Sequence, residues 1–160
     1  MKNLLQKLLK RKPINQNSFI KQIPLLNTLT ESELLRVHDI MHERTYESGE
    51  FFFHINQPGA AIFFIKDGHV RIFIPANEHR KKSENDIEIA ELGEGDFFGE
   101  LALLDNSRRS ASVMATSQTS VMAIFRGDFE DLLVKDPVIS SKINRQLALM
   151  IGLRLKKANY

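Results

Sequence analysis

The spacing of apolar positions divides the chain into a helical zone, a strand zone and a second helical zone. In the first zone, Thr30 precedes Glu33 by three positions and an apolar run begins at Leu34. This pattern is typical of a helix start at which the two polar side chains cap free backbone N–H groups. Pro24 separates this helix from the residues before it. The first zone therefore predicts helices over residues 18–43.

Short β-rich runs fill residues 45–125. The run VRIFI at 70–74 alternates in the way expected of a half-buried strand. Asp67-Gly68 lies between two such runs and predicts a hairpin, because a tight turn needs positive φ angles that glycine accepts. Several short strands at close spacing predict a closed antiparallel barrel or roll.

The third zone is predicted to be helical over residues 128–158. Asp128 is placed to cap a short helix. Asp136 and Pro137 mark the start of a longer helix, because proline is tolerated in the first turn. The three zones together predict an α+β fold, in which an antiparallel, jelly-roll-like β-roll has helices before and after it.

Composition and charge narrow the classes of function. The chain has 160 residues, 42% hydrophobic and 26% charged, which is typical of one globular domain. It has no cysteine, so disulfides and thiolate metal sites are excluded and a reducing cytoplasm is the expected location. A formal net charge of +2 is too small to predict nucleic-acid binding. No apolar run is long enough to predict a transmembrane segment.

The basic segment at residues 1–17 is predicted to be a helix or an extension, outside a single domain at 18–160. Four leucines between positions 4 and 9 share one helical face, and lysines occupy other positions. Two interpretations stay open. The leucines pack on the domain, or the helix lies on a membrane surface.

Residues 97–112, FFGELALLDNSRRSAS, contain the candidate chemistry. A helical turn starting near Gly99 leaves backbone N–H groups at its start, and these form an anion site that a residue without Cβ lets a ligand approach. Arg109 can supply a fixed positive partner, with two parallel N–H groups matched to phosphate oxygens. Glu100 would repel a phosphate beside it, so its carboxylate is expected to accept a hydrogen bond from a hydroxyl. The segment therefore predicts a ligand with a phosphate and a nearby sugar hydroxyl.

A purely structural interpretation of the same segment stays open. Glutamate in the first turn of a helix is favourable for the helix dipole alone. Arg108 and Arg109 can also be surface residues that follow a turn at 105–107.

The run FGELALLDNSRRSASV resembles the phosphate-binding cassette of cyclic-nucleotide-binding domains. The match covers residues 98–103, the arginine nine positions after Glu100, and the small residue and alanine that follow this arginine. Flanking stretches are also similar to the family, so the resemblance extends from about Ser18 to the C-terminus. It implies a short cassette helix in the roll, N-terminal helices before the roll and C-terminal lid helices after it.

The resemblance implies a role for each matching residue. Arg109 clamps the cyclic phosphate, Glu100 takes the ribose 2′-hydroxyl, and backbone N–H groups around Gly99, Leu101 and Ala102 complete the phosphate site. Of the two arginines, Arg109 has the spacing of the family. The full expected set of binding residues is Phe98, Gly99, Glu100, Leu101, Ala102, Arg109, Ser110, Ala111, Ile72 and Leu92.

The sequence indicates the purine base of the ligand less clearly than it indicates the phosphate and the sugar. Cyclic AMP is the expected ligand, and cyclic GMP is not excluded because the hydroxyl of Ser110 can bind a phosphate or a guanine amino group. Ile72, Ala90 and Leu92 are candidate apolar walls for the purine, and ordinary core packing explains the same residues equally well.

The family's last helix folds over the base as a lid. Candidate lid residues are Met150, Ile151 and Arg154, because a thioether or an arginine can lie over a purine face. Met150 and Ile151 are alternatively part of the core between helix and barrel. The terminal Tyr160 is a further candidate.

These inferences predict a cyclic nucleotide receptor with no catalytic residue, no metal site and no cofactor. It relays occupancy through its last helix to an unknown protein effector, and that helix is a candidate homodimer contact. The alternative is an interaction module of the same fold that binds no ligand and docks on a protein or membrane. An enzyme that hydrolyses the cyclic phosphodiester lacks the expected metal ligands or acid–base pair.

Overall fold

The computed structural model describes residues 18–77 and 83–159, and eight strands form the centre of this part of the chain. The strands are β1 (Met41–Tyr46), β2 (Phe51–Phe53), β3 (Ala61–Asp67), β4 (Val70–Ile74), β5 (Ile87–Leu92), β6 (Phe97–Phe98), β7 (Ser112–Ala115) and β8 (Thr119–Phe125). The helices are α1 (Phe19–Gln22), α2 (Glu31–Asp39), α3 (Leu101–Leu104), α4 (Arg126–Lys135) and α5 (Pro137–Ala158), with a short 3-10 turn at Pro24–Leu26.

The strands form two antiparallel sheets of four strands each, which confirms the predicted α+β roll. The first sheet has the order β1-β8-β3-β6, and the second has the order β2-β7-β4-β5. Most strands pair with partners distant in sequence, as β3 does with β6 and β8. The two sheets therefore interleave along the chain.

Two apolar layers hold the sheets and helices together, and β3 belongs to both. Ile62 and Phe64 pack with the helices, whereas Phe63 and Ile65 pack inside the roll. Because both faces of this strand are buried, its sequence is a continuous apolar run and not an alternating one.

The helix starts follow the predicted capping. Thr30 and Glu33 form the expected reciprocal cap at the start of α2. The side chain of Asp136 accepts a hydrogen bond from the Ile139 N–H at 3.2 Å at the start of α5. Lys142 donates from α5 to both carboxylate oxygens of Glu33, at 3.0 and 2.8 Å. The last helix is therefore tied to the capped start of α2.

Two predicted helix boundaries are wrong. The first helical zone, predicted over 18–43, ends at Asp39, because Met41–Tyr46 pairs along its whole length with β8 and strand pairing overrides the local helical pattern. The helix predicted from residue 128 begins at Arg126, directly after β8. Asp128 consequently lies in the first turn of α4 and does not cap it.

The hairpin predicted at Asp67-Gly68 is also wrong, although the turn exists. Gly68 has the expected positive φ, +95°. However, β3 before the turn pairs in the first sheet and β4 after it pairs in the second. A Cβ at residue 68 would lie 2.4 Å from the carbonyl oxygen of Gln118, so glycine is required where the chain crosses between sheets.

The half-buried pattern predicted for 70–74 does not hold either, because β4 buries both of its faces. Arg71 is 6% exposed and Phe73 is 2% exposed, whereas Ile72 is only partly buried. The Arg71 guanidinium is paired with the carboxylates of Asp86 and Glu88. These ion pairs stabilise a charge that would otherwise be costly to bury.

The prediction for residues 1–17 and the candidate Tyr160 lie outside the described residues. The helix or extension at 1–17 and the role of Tyr160 therefore stay predictions. Across 18–77 and 83–159, none of the helices combines the length and the apolar character that a bilayer crossing requires.

Candidate functional site

The segment that contains the candidate chemistry begins with two buried aromatic rings. Phe97 and Phe98 form β6, which pairs with β3, and each of these residues is 2% exposed. Phe97 packs with the helices and Phe98 packs inside the roll. The single helical turn predicted after them is present as α3, which starts at Leu101. The aromatic pair thus anchors this turn between the two apolar layers.

Gly99 connects β6 to α3 in a conformation that favours glycine, with φ of +80°. A Cβ at this position would lie 2.8 Å from Nη1 of Arg109 and 2.9 Å from the carbonyl oxygen of Ala61. Both distances are shorter than a real Cβ contact allows. The backbone at residue 99 therefore passes against Arg109 so closely that a side chain does not fit.

A cavity of about 190 Å³ lies beside α3 and is reached by residues of β4, β5, β7 and α5. It brings together every predicted binding residue except Leu92, and one of the three lid candidates. These residues are Phe98, Gly99, Glu100, Leu101, Ala102, Arg109, Ser110, Ala111, Ile72 and Arg154. Their proximity is a finding, and their contacts with a ligand stay predictions.

Three predicted residues lie away from this cavity. Leu92 packs against the core inside the roll, and Met150 and Ile151 pack against the core on the helix side. Their positions agree with the alternative interpretation, core packing, and their contacts with a ligand stay predictions. Ala90 does not line the cavity either.

On β5, the residue that lines the cavity is Ile89, and not the predicted Leu92 or Ala90. The pairing of β4 with β5 shifts between Ile72 and Phe73, so that Ile89 has no direct partner in the register. This irregularity turns Ile89 to the cavity and leaves it 53% exposed. The sequence has no clear signal for a bulge here.

The remaining lining residues come from β2, the bend before β3, the loop before β7 and β7 itself, and the sequence analysis did not assign them to the site. Val113 could have been found, because it follows the predicted Ala111 at the two-residue spacing of one strand face. The bend before β3 and the loop before β7 had no such signal. The additional lining residues are Phe53, Gly59, Ser107, Arg108 and Val113.

Arg109 is held rigidly at the wall of the cavity and is only 9% exposed. Its Nη2 donates to the carbonyl of Ala61 at 2.9 Å, and its Nη1 donates to the carbonyl of Gly99 at 3.3 Å. The guanidinium lies 3.8 Å from the ring centroid of Phe53. Burial lowers the pKa of Arg109 to about 10, and the charge of Glu100 opposes this effect. The side chain therefore carries its positive charge at neutral pH.

One N–H of this arginine stands out. Nε of Arg109 is buried and has no hydrogen-bond partner within the described residues. Buried donors are nearly always paired, and an unpaired one is costly. An anionic ligand in the cavity is a suitable acceptor for it.

The neighbouring Arg108 has a different environment. It is exposed and donates from Nη1 to the carbonyl of Asn56 at 2.7 Å, at the edge of the same cavity. Its position agrees with the surface interpretation, whereas the position of Arg109 does not.

Glu100 precedes α3, and a residue of the last helix occupies one of its oxygens. Arg154 donates from Nη1 to Oε1 of Glu100 at 2.8 Å and from Nη2 to the carbonyl of Phe97 at 3.0 Å. Its guanidinium lies 4.3 Å from the ring centroid of Phe97. The Glu100 side chain is 17% exposed and that of Arg154 is 44% exposed. The lid candidate therefore contacts the cassette directly.

The backbone N–H groups predicted to hold the phosphate are not all free. The N–H of Ala102 donates to the carbonyl of Gly99 at 3.2 Å, and that of Leu103 donates to the carbonyl of Glu100 at 3.0 Å. These bonds close the short turn. A ligand that used the Ala102 N–H would have to share it with Gly99.

Comparison with known proteins agrees with the resemblance seen in the sequence. The cyclic nucleotide-binding domain family matches residues 43–136, which is more than half of the chain, and the chain belongs to this family. The cyclic AMP receptor protein of Thermus thermophilus is 31% identical over 140 residues, or 88% of this chain and 61% of that protein. The cAMP-dependent protein kinase regulatory subunit of Hypocrea atroviridis is 31% identical over 116 residues, or 72% of this chain and 23% of that protein.

Solved structures share the fold. The Thermus thermophilus catabolite activator protein has a TM-score of 0.71 at 30% identity, covering 85% of this chain and 60% of that chain. A cyclic nucleotide-binding domain from Methylobacillus flagellatus has a TM-score of 0.76 at 20% identity, covering 87% of this chain and 79% of that one. The chain spans less than two thirds of the length of the curated relatives named above. The family is one of sensor and regulatory domains.

Proposed function

We propose that this protein is a cytoplasmic receptor for a cyclic nucleotide, with cyclic AMP as its ligand. One observation carries the proposal: the buried guanidinium of Arg109, with an unpaired Nε–H, lines the same cavity as the carboxylate of Glu100. A phosphate oxygen is the acceptor that Arg109 lacks, and a ribose hydroxyl is a donor for Glu100. Membership of the cyclic nucleotide-binding domain family supports this assignment.

Calorimetric titration with cyclic AMP and cyclic GMP tests the proposal. Arg109→Lys keeps the charge but loses the planar pair of donors, so the lost charged hydrogen bonds should weaken binding by about tenfold or more. Arg145→Lys is the matched control, because this arginine of α5 is exposed and does not line the cavity. We expect the control to bind within about twofold of the wild type. Equal affinity of Arg109→Lys and wild type would show that the phosphate is held elsewhere.

The role of Glu100 has a test of its own. Glu100→Ala should bind cyclic AMP more weakly, because the ribose hydroxyl loses its acceptor. The same substitution should have little effect on binding of 2′-deoxy cyclic AMP, which has no hydroxyl to lose. An equal loss for both nucleotides would contradict the assignment of the hydroxyl to Glu100.

The choice of base is tested at Ser110, whose side chain is exposed at the cavity. Ser110→Ala should weaken cyclic GMP binding more than cyclic AMP binding if the hydroxyl meets the guanine amino group. An equal effect on both nucleotides would place the hydroxyl at the phosphate.

We further propose that α5 relays occupancy to a protein effector. The first half of the helix is fixed by Ile139, Ile143 and Leu147, which are at most 2% exposed. Residues 152–159 are all exposed, and the contacts described above tie Arg154 of this stretch to the cassette. Ligand should therefore slow amide exchange mainly beyond residue 150, and unchanged exchange across 137–158 at saturation would contradict the relay.

The exposed leucines of α5 support a test of homodimer formation. Leu149 and Leu153, four positions apart and so on one face of α5, are 53% and 60% exposed. If this face is a dimer contact, Leu149→Glu with Leu153→Glu should convert a dimer to a monomer in sedimentation experiments.

The alternative function is an interaction module that binds no ligand and docks on a protein or membrane. It would be favoured if the calorimetric titrations showed no binding of cyclic AMP or cyclic GMP.

A further inference from the structure

Glu100 poses an electrostatic problem for a receptor of this kind. Its carboxylate lines the cavity in which Arg109 is proposed to hold a phosphate, so its negative charge opposes the ligand. We propose that Arg154 neutralises Glu100 and so makes a carboxylate compatible with an anionic ligand in this cavity. The inference rests on the proposed function and adds Arg154 as a positioning residue that acts through Glu100.

The geometry of Arg154 supports a role directed at Glu100. Its guanidinium is held by three contacts: Oε1 of Glu100 at 2.8 Å, the carbonyl of Phe97 at 3.0 Å, and the ring of Phe97 at 4.3 Å. Because the Glu100 side chain is 17% exposed and that of Arg154 is 44% exposed, water and salt screen this ion pair in part. These three contacts direct the charge of the arginine at the carboxylate.

The same contacts disfavour the role first expected for a lid arginine, stacking on the purine. One face of the Arg154 guanidinium already lies on Phe97, and two of its nitrogens already donate hydrogen bonds. A guanidinium fixed in this way is available as a charge more than as a free stacking surface. The two roles make different predictions, because stacking does not depend on Glu100.

Neutralisation does not compete with recognition of the sugar. A carboxylate has two oxygens and accepts several hydrogen bonds. Arg154 uses Oε1 of Glu100, and Oε2 has no hydrogen bond within the part of the chain that the structure describes. The ribose hydroxyl can therefore bind Oε2 while Arg154 stays on Oε1.

The charges around the cavity show why the pair matters. The charged side chains that line it among the described residues are Glu100, Arg108, Arg109 and Arg154. Arg109 and Glu100 are the least accessible of the four, and Arg154 is the cation that is paired with Glu100. Without Arg154, the charge of Glu100 would cancel that of Arg109 at the place where the phosphate binds.

A double-mutant cycle with cyclic AMP as the titrant tests the proposal. Arg154→Gln should weaken binding by about fivefold, the upper range for a partly exposed ion pair. On the Glu100→Gln background, which keeps an acceptor oxygen without the charge, Arg154→Gln should change affinity by less than about twofold. Arg154→Lys should restore most of the affinity because it restores the charge. The loss should also shrink as salt is raised from about 0.1 M to about 1 M, over which the screening length falls from about 10 Å to about 3 Å.

Arg145→Gln is the matched control, since Arg145 is an exposed arginine of α5 that does not line the cavity. It should bind cyclic AMP like the wild type. An equal loss from Arg154→Gln with and without the Glu100 carboxylate would overturn the neutralising role and leave the proposed receptor function intact. Absence of binding of cyclic AMP and cyclic GMP by the wild-type protein would overturn the receptor function, and the neutralising role with it.

Discussion

Replacement of Gly99 by alanine tests how closely the cassette backbone packs against Arg109. The added Cβ would meet Nη1 of Arg109 at 2.8 Å and the carbonyl oxygen of Ala61 at 2.9 Å. The alanine would also have to adopt φ of +80°. Either the backbone changes conformation at residue 99, or Arg109 leaves its position. Both changes alter the candidate site.

The expected effects of Gly99→Ala follow from these two sources of strain. The left-handed conformation costs a residue with a Cβ about 1–2 kcal/mol. Overpacking of a tight site costs about 1–3 kcal/mol more. We therefore expect the free energy of unfolding to fall by about 2–5 kcal/mol. If Arg109 is displaced, the loss of a charged hydrogen bond to the phosphate, about 1.5–3 kcal/mol, corresponds to roughly 10- to 150-fold weaker binding.

Gly95→Ala provides the matched control for this substitution. Gly95 has a similar φ of +86°, and nothing lies within 4 Å of its added Cβ. Its free energy of unfolding should fall by only about 1–2 kcal/mol, and its affinity for cyclic AMP should not change. Urea unfolding measures the first quantity and calorimetric titration the second. Equal destabilisation in both variants, with wild-type affinity in both, would refute the close packing of Arg109 against residue 99.

Three further predictions concern the helices. Gly152→Ala, in open space on α5, should raise the free energy of unfolding by about 0.5–1 kcal/mol in urea, and a decrease would show an unrecognised contact there. Thr30→Ala should lower it by about 1 kcal/mol through loss of the α2 cap, and no change would contradict the cap. The hydrogen bond from Lys142 chiefly lowers the pKa of Glu33, so this carboxylate stabilises the fold above its ordinary pKa of 4.5 and the stabilisation is lost as pH falls through the lowered value. Glu33→Gln should therefore be less stable than wild type at neutral pH and equally stable in acid, and a pH-independent difference in unfolding would contradict the linkage.

The sequence predicted local features of the fold well because their causes are local. The cap of Thr30 with Glu33, the start of α5 at Asp136 and the turn at Gly68 each depend on a few neighbouring residues. The pairing of the strands, in contrast, does not depend on neighbouring residues. The chain crosses between sheets at Gly68, and only the pairing of β3 with β6 and β8 shows this. A hairpin and a crossing between sheets use the same turn residues, so the sequence could not distinguish them.

The candidate site shows the same division. Arg109 and Glu100 could be proposed from the sequence because the candidate chemistry and the family pattern both lie in one continuous segment. Leu92 lies away from the cavity, whereas Ile89, beside an irregularity in the pairing of β4 with β5, lines it, and no local sequence pattern indicates this irregularity. Arg154 was included as a cover for the base, but its partner Glu100 lies 54 positions earlier in the chain. No local pattern indicates such a pair.

The contacts of α5 also limit what a ligand can move. Ile139, Ile143 and Leu147 are fully or almost fully buried, and each such side chain stabilises the docked helix by about 1.5–3 kcal/mol. The Arg154–Glu100 pair is partly exposed and contributes at most about 1 kcal/mol. A ligand shifts an equilibrium only by its difference in affinity for the two states, and such coupling is typically about 1–3 kcal/mol. That is enough to change the position of the helix end around Arg154, and too little to release the three buried residues. If α5 relays occupancy, the signal is therefore a movement of its last two turns while the first half stays docked.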